Sequence, residues 1–331
     1  MPATLFQGKK AFFKLPSPIL TSFNFTDSST MIQVGIFTGY FPYSLEETAR
    51  RIRSLDFNTV QLDVSFKDMD LSTEAITAEK CHRIRDTFRR HNLPICCISG
   101  YTNLVHPEPA RRKANLAHLK QIIRFAHDLG SPYVISESGT FDPDSDWVHH
   151  PKNKTEEGYI ECRTVIADIV DFAREHGVTF LVETYVNNVI GSVEETLRLF
   201  AEVDDPHLGP LMDPTNYFEE HNIDHMDQTL HHIFNALANR IKISHAKDVK
   251  RAAVAQGVQM ASIDASEAHA LRGVGMIELP APGLGSLNYD LYLKRLSRHY
   301  PNIPMIIEHL EESDVPRAKQ FLDARLLANG C

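Results

Sequence analysis

The chain has 331 residues, 43% hydrophobic and 23% charged, the balance of an ordinary globular protein able to bury a large core. Its 34 basic and 43 acidic residues leave a net charge of −9, with no basic stripe to neutralise a nucleic-acid backbone, and no run of about 18 apolar residues suits a membrane span. The five cysteines, Cys81, Cys96, Cys97, Cys162 and Cys331, form neither a C-x-x-C pair nor a dense disulfide framework, so the expected setting is a reducing, cytoplasmic one.

Residues 1–30 mix Pro, Ser, Thr and Phe without a sustained period and lack the apolar core of a signal peptide. They read as a flexible N-terminal extension, with Met31 a candidate native start and 31–331 the folded unit. From Ile32 to Phe37 the first strand is expected. Ser44 and Glu47 have the spacing of a capping box for a helix over Leu45 to Ser54. A strand over Asn58 to Val64, a helix over Thr73 to His91 and a strand over Pro94 to Ser99 follow. A long helix runs from Pro109 to Leu129 and stops at Gly130, before a strand at Tyr133 to Ser136 and a polar loop, 137–157, that holds the single tryptophan, Trp147. The next helix reaches His176, with Gly177 as its left-handed terminator. Strands at Val178 to Glu183 and Leu208 to Asp213 flank a helix over Ser192 to Val203. A helix over Asp224 to Ala238 leads into a strand at Ile241 to Asp248. Residues 250–285 interrupt the pattern, and a helix over Tyr289 to Tyr300, a strand at Ile303 to Glu308 and a helix over Val315 to Leu327 complete it.

Eight strands alternating with helices predict an α/β fold, a single (β/α)8 TIM barrel, with 250–285 as a loop inserted between strands seven and eight over the C-terminal mouth. Glu183, Asp213 and His245 recur at intervals of about 30 residues, the length of one βα repeat, and Glu308 follows after roughly twice that. Each ends a line of apolar residues by the two-residue strand period: Leu181 before Glu183, Leu211 before Asp213, Ile243 before His245, Ile306 before Glu308. In a parallel barrel these ends converge on one face. Three carboxylates gathered in a half-apolar mouth repel one another unless a cation neutralises them, and three oxygen donors with one imidazole suit Mn²⁺ or Mg²⁺, with Co²⁺ and Zn²⁺ also admissible. His106, in the loop after strand three, is expected to offer a substrate hydrogen bond. Lys247 and Asp248 admit either a mutual clasp or a direct role.

The segments Val182-Glu183-Thr184, Met212-Asp213-Pro214-Thr215-Asn216, Ser244-His245-Ala246-Lys247-Asp248 and Ile307-Glu308-His309 resemble the ligand-bearing strand ends of the xylose isomerase-like superfamily, with His-x-Lys-Asp the most specific piece. The resemblance spans about Met31 to Leu327. It implies Glu183, Asp213, His245 and Glu308 as metal ligands, with Glu183 and Glu308 also an opposed acid/base pair acting through an enediolate. It implies an isomerase or epimerase of a small sugar or ketose in carbohydrate metabolism. It implies a substrate contact for Arg251, six residues after His245, and places Asn216 where relatives carry a histidine, beside Lys247 among the substrate-binding candidates. Gly283-Leu284-Gly285 resembles a glycine turn of the superfamily, a weak phosphate cradle by itself. Alternatives are a dehydratase of the inosose type and a non-catalytic sugar-binding barrel. The expected partner is a small sugar, without nucleic acid or membrane, and a homo-oligomer is compatible with the sequence.

Overall fold

The structure, a computed structural model, describes residues 31–256 and 273–331. The expectation for residues 1–30, and the middle of the inserted segment, lie outside the described residues. Eight parallel strands close into a barrel: β1 (Gln33–Phe37), β2 (Thr59–Leu62), β5 (Ile95–Ser99), β6 (Tyr133–Glu137), β7 (Thr179–Glu183), β8 (Leu208–Met212), β9 (Ile243–Ala246) and β12 (Pro304–Ile307). The order around the barrel is β1, β12, β9, β8, β7, β6, β5, β2. Chain neighbours pair throughout, as short right-handed βα connections require.

The helices lie between the strands along the chain: α1 (Leu45–Ser54), α2 (Ala78–Arg90), α3 (Pro109–Arg124), α4 (Ala126–Leu129), α5 (Glu156–Glu175), α6 (Val193–Val203), α7 (Met226–Leu237), α8 (Tyr289–His299) and α9 (Val315–Asn329). Their apolar faces and the outward-facing strand residues form the larger core, whereas Cys97, Ile135, Leu181, Leu211, Ile243 and Ile306 form a separate cluster inside the barrel. Four members of that inner cluster are the residues two positions before the predicted ligands. The strand parity read from the sequence therefore selects the barrel interior, because successive side chains in a strand must alternate faces.

Several local expectations need correction. The capping box at α1 does not form: Ser44 makes no side-chain cap, Asp68 Oδ1 instead accepts from the N–H of Leu45 at 2.8 Å, and Glu47 is drawn to Arg50 and Arg51. The predicted helix from Pro109 to Leu129 is broken at Phe125 into α3 and α4, and α2 begins at Ala78, capped by Thr77, rather than at Thr73. A small hairpin, β3 (Ser65–Phe66) and β4 (Met69–Asp70), was not foreseen. The inserted segment carries an antiparallel pair, β10 (Lys250–Gln256) and β11 (Gly273–Glu278), rather than a plain loop.

Gly35 shows how little room the barrel wall leaves. A Cβ there would lie 2.5 Å from Ile306 Cδ1, 2.7 Å from Thr59 Cγ2 and 2.9 Å from the Thr59 carbonyl oxygen. Backbone on one side and a packed core side chain on the other cannot both yield. Gly35→Ala is expected to cost about 1–3 kcal/mol of stability through overpacking, read as a lower denaturation midpoint at unchanged slope. An unchanged midpoint would contradict the tight wall.

Candidate metal centre and its cavity

Glu183 is the last residue of β7, Asp213 follows β8 directly, His245 lies within β9 and Glu308 follows β12 directly. The barrel brings one ligand atom from each to within 4.8 Å of the others, and all four residues are buried. His245 Nδ1 lies 3.5 Å from Glu183 Oε1, 3.7 Å from Asp213 Oδ2 and 3.2 Å from Glu308 Oε2.

Asp213, His245 and Glu308 are each held by a neighbour that leaves one atom aimed inward, and Glu183 is held at both oxygens. Asp213 Oδ1 accepts from the Thr215 N–H at 3.0 Å and its hydroxyl at 2.6 Å, which turns Oδ2 toward the centre. Asn216 Nδ2 donates to Glu183 Oε1 at 2.7 Å, and the Tyr101 hydroxyl donates to Glu183 Oε2. Gln61, buried on β2, donates from Nε2 to Glu308 Oε1 at 3.3 Å and to Ser99 Oγ at 3.2 Å. That orientation leaves Gln61 Oε1 facing His245 Nε2 at 2.8 Å, so Nε2 carries the proton and Nδ1 presents its lone pair to the cluster. His245 Nδ1 and Asp213 Oδ2 are buried without a hydrogen-bond partner of good geometry, in a molecule where such atoms are costly. Asp213 Oδ2 has the Lys247 ammonium beside it, so the orphaned atom is His245 Nδ1, which with the donor chemistry and spacing fits a divalent cation.

The cluster attracts positive charge strongly enough to have drawn in a lysine. Lys247 Nζ lies 2.8 Å from Asp213 Oδ2, 3.2 Å from Glu183 Oε1 and 3.3 Å from Glu308 Oε2, with the side chain 3% exposed. Burial alone would drive the proton off this amine, but the three carboxylates outweigh it and hold its pKa well above the ordinary value. Against the same burial, Lys247 and His245 hold the Glu183 carboxyl well below its usual range, and Asp213 and Glu308 are lowered likewise. His245 is raised well above its usual value by the carboxylates, again against burial. A bound cation reverses the logic for the imidazole, since a ligating nitrogen must be unprotonated.

A cavity of about 300 Å³ opens above the cluster, lined by Phe37, Tyr40, Tyr101, Glu137, Asp146, Trp147, Glu183, Lys247, Glu308 and His309 among others. Of the four predicted ligands only Glu183 and Glu308 line it. Asp213 and His245 lie behind them. His309 adopts a left-handed backbone, φ 61°, uncommon for a non-glycine residue. Its N–H donates to the Tyr40 hydroxyl at 2.8 Å and its Nδ1 faces the Leu279 carbonyl at 2.8 Å, which fixes the turn that delivers Glu308.

The other predicted contacts separate into groups. Asn216 reaches the site through Glu183, and Lys247 sits inside the cluster. The clasp between Lys247 and Asp248 is not formed, because adjacent strand-end residues point to opposite sides. Asp248 instead accepts from the N–H groups of Val249, Leu287 and Gly283 at 2.9, 2.8 and 2.9 Å. The proposed glycine cradle thus holds the chain's own carboxylate. His106 is not brought to the cavity. It is buried in the loop before α3, where its Nδ1 accepts from the Glu108 N–H at 3.1 Å and its carbonyl receives Arg112. Arg251 is likewise remote, on β10, with its guanidinium 2.6 Å from Asp224 Oδ2 and half exposed, because the hairpin turns it toward the acidic 219–225 segment.

Gln61, Tyr101, Glu137 and Trp147 were missed as site residues. Gln61 had left a signal, an amide at interior parity in an otherwise apolar strand; the others stand at or beyond strand ends where polar and aromatic residues are common. Gln61→Leu keeps the side-chain volume but removes the acceptor for His245 and the donor to Glu308. Divalent-metal affinity, titrated calorimetrically, is expected to fall about 10–100-fold. An unchanged affinity would show that the His245 ring is oriented without it.

A closed parallel barrel with three carboxylates and an imidazole converging at its C-terminal mouth is a TIM barrel with a cluster suited to a divalent metal. The family model for the xylose isomerase-like TIM barrel matches residues 49–327, and the chain belongs to that family. Among solved structures it is similar to a xylose isomerase-like TIM barrel protein from Mycobacterium smegmatis in complex with magnesium, at 16% identity and TM-score 0.64 over 92% of this chain and 98% of that one. It is similar to the probable 3-DHS dehydratase AsbF from Bacillus anthracis, at 16% identity and TM-score 0.64 over 91% and 99%. It is similar to an L-ribulose 3-epimerase, at 14% identity and TM-score 0.63 over 90% and 96%. These likenesses are likenesses of fold. No curated protein matches the sequence.

Proposed function

We propose that the protein is a divalent-metal-dependent isomerase or epimerase of a small ketose, with Glu183 and Glu308 as its acid/base pair. The observation that carries this reading is the division of the cluster: Glu183 and Glu308 line the cavity, whereas Asp213 and His245 do not, which suits the first two to proton transfer and the second two to holding a cation. Mn²⁺ or Mg²⁺ best suits three oxygen donors and one imidazole. When bound, such a cation supplies Lewis acidity, polarising a carbonyl and acidifying the adjacent C–H.

The remaining work falls to the chain's own groups. One glutamate takes the proton from the carbon beside the carbonyl. The other returns a proton to that carbon from the opposite side, which epimerises it, or a proton is returned to the former carbonyl carbon while the adjacent hydroxyl proton passes to the former carbonyl oxygen, which isomerises the sugar. Tyr101 and Asn216 hold both oxygens of Glu183, so its geometry is set before substrate arrives. Lys247 supplies a fixed positive charge beside Glu183, Asp213 and Glu308 and at the cavity wall. Phe37, Tyr40 and Trp147 wall the cavity and exclude water from the exchange. The epimerase and the dehydratase among the similar structures are compatible with this arrangement. Five free cysteines, and no helix among the described residues long and apolar enough to cross a membrane, support a cytoplasmic setting.

The test is proton NMR in D₂O with manganese-loaded protein and a panel of ketopentoses and ketohexoses. Deuterium is expected at the carbon beside the carbonyl without loss of water. Loss of water would instead identify a dehydratase, and absence of exchange with every ketose would remove the reading.

A further inference from the structure

Arg251, the Gly283-Leu284-Gly285 turn and Lys247 are the groups that chemistry would suit to a substrate phosphate, and the structure commits all three elsewhere. Arg251 is bound to Asp224 and to the Glu220 carbonyl on the outer hairpin. The Gly283 turn lies in the connection between the seventh and eighth barrel strands, near where barrels of this class commonly hold phosphate. There the N–H groups of Gly283 and Leu287 already donate to the Asp248 carboxylate. The turn closes so tightly that a Cβ at Gly285 would lie 2.4 Å from Asp248 Oδ1. Lys247 is turned onto three carboxylates.

The cavity itself is acidic. Among the described residues that line it, Lys247 is the only lysine or arginine, and Glu137, Asp146, Glu183 and Glu308 all face it. Lys247 together with a divalent cation balances Glu183, Asp213 and Glu308. Glu137 and Asp146 are then the charges that an incoming substrate meets. Glu137 is held by Asn188 Nδ2 at 3.1 Å, at the register position beside Glu183. Fixed carboxylates accept hydroxyl hydrogen bonds well, whereas an anionic group brought beside them in a partly dehydrated cavity is repelled. Phe37, Tyr40, Tyr101 and Trp147 suit the C–H faces of a polyol, and about 300 Å³ suits a small one.

We propose that the cavity takes an unphosphorylated, uncharged polyhydroxy ketone, and that Glu137 and Asp146 reject analogues that carry a phosphate or carboxylate. The proposal rests on the ketose reading above and adds the charge of the substrate and the two residues that select it.

Trp147 is the only tryptophan in the chain and lines the cavity, so its fluorescence reports occupancy independently of turnover. Binding of 2-ketopentoses, 2-ketohexoses and their terminal phosphate esters to the manganese-loaded full chain would be followed by this signal and by calorimetry. The cognate free ketose is expected to bind at least about tenfold more tightly than its ester, and in the Glu137→Gln/Asp146→Asn double variant that ratio should shrink several-fold. Equal or tighter binding of the ester, with solvent exchange of the free ketose intact, overturns the charge selection alone. A ratio unchanged in the double variant overturns the assignment to these residues. Binding of free ketose without exchange keeps the selection and removes the isomerase, and absence of both for every ketose removes the two together.

Discussion

Glu183→Gln is expected to reduce solvent exchange of the cognate ketose by a factor on the order of 10²–10⁴, the range for loss of a positioned general acid or base. Glutamine keeps the shape: its carbonyl oxygen accepts from Asn216 and its amide N–H donates to the Tyr101 oxygen in place of the bond that Tyr101 now donates, so the barrel stays folded. What disappears is the carboxylate that takes the proton and one of three anionic donors to the cation. Metal analysis separates the two effects. A variant that retains about one divalent ion but not exchange assigns Glu183 to proton transfer, and a variant that loses the ion assigns it to binding. Exchange at the wild-type rate would exclude both roles.

Lys247→Met should have the largest effect on the protein without metal. A buried ammonium 2.8–3.3 Å from three carboxylates is the only lysine or arginine that touches them among the described residues. Breaking a buried ion pair by removing one partner commonly costs about 3–5 kcal/mol, because the other charge stays buried. A Tm lowered by several degrees in chelator is expected, with much of the loss recovered in excess Mn²⁺, which replaces the missing charge. The pH dependence has a definite sign. In the wild type the Glu183, Asp213 and Glu308 carboxyls are held below their usual values, chiefly against burial and by Lys247 and His245. Their contribution is therefore present above the unfolded carboxyl range and is lost as pH falls through the folded values. In the variant that contribution shrinks, so the gap in Tm between the two proteins should be wide at neutral pH and narrow only as pH falls below the ordinary carboxyl range. A gap that widens on acidification would show that Lys247 does not stabilise the carboxylates.

The alternation of strands and helices was legible because burial imposes a period on each element that survives without knowledge of its neighbours. The same holds for the four convergent residues. Glu183, Asp213, His245 and Glu308 each extend an apolar line of fixed parity, and closure of the barrel then requires them to meet. Short-range expectations fared less well wherever a long-range partner competed. Ser44 and Glu47 had the spacing of a capping box, but Asp68 took the cap and two arginines took the glutamate. Gly283 had the look of a phosphate turn, but Asp248 reached it first.

Composition and periodicity by themselves determined an α/β chain, the number of barrel strands and which strand ends carry ionisable groups inward, because these follow from backbone geometry and the burial of apolar side chains. Only the tertiary structure decided how those groups are used. Lys247 and Asp248 are adjacent in the chain yet serve opposite sides of the strand. Arg251 and His106, placed near the site by sequence position, are turned away by the hairpin and by Glu108. Gln61, far from His245 in sequence, sets its tautomer. Such assignments depend on which charge or hydrogen-bond partner arrives first in space, and spacing along the chain does not encode that.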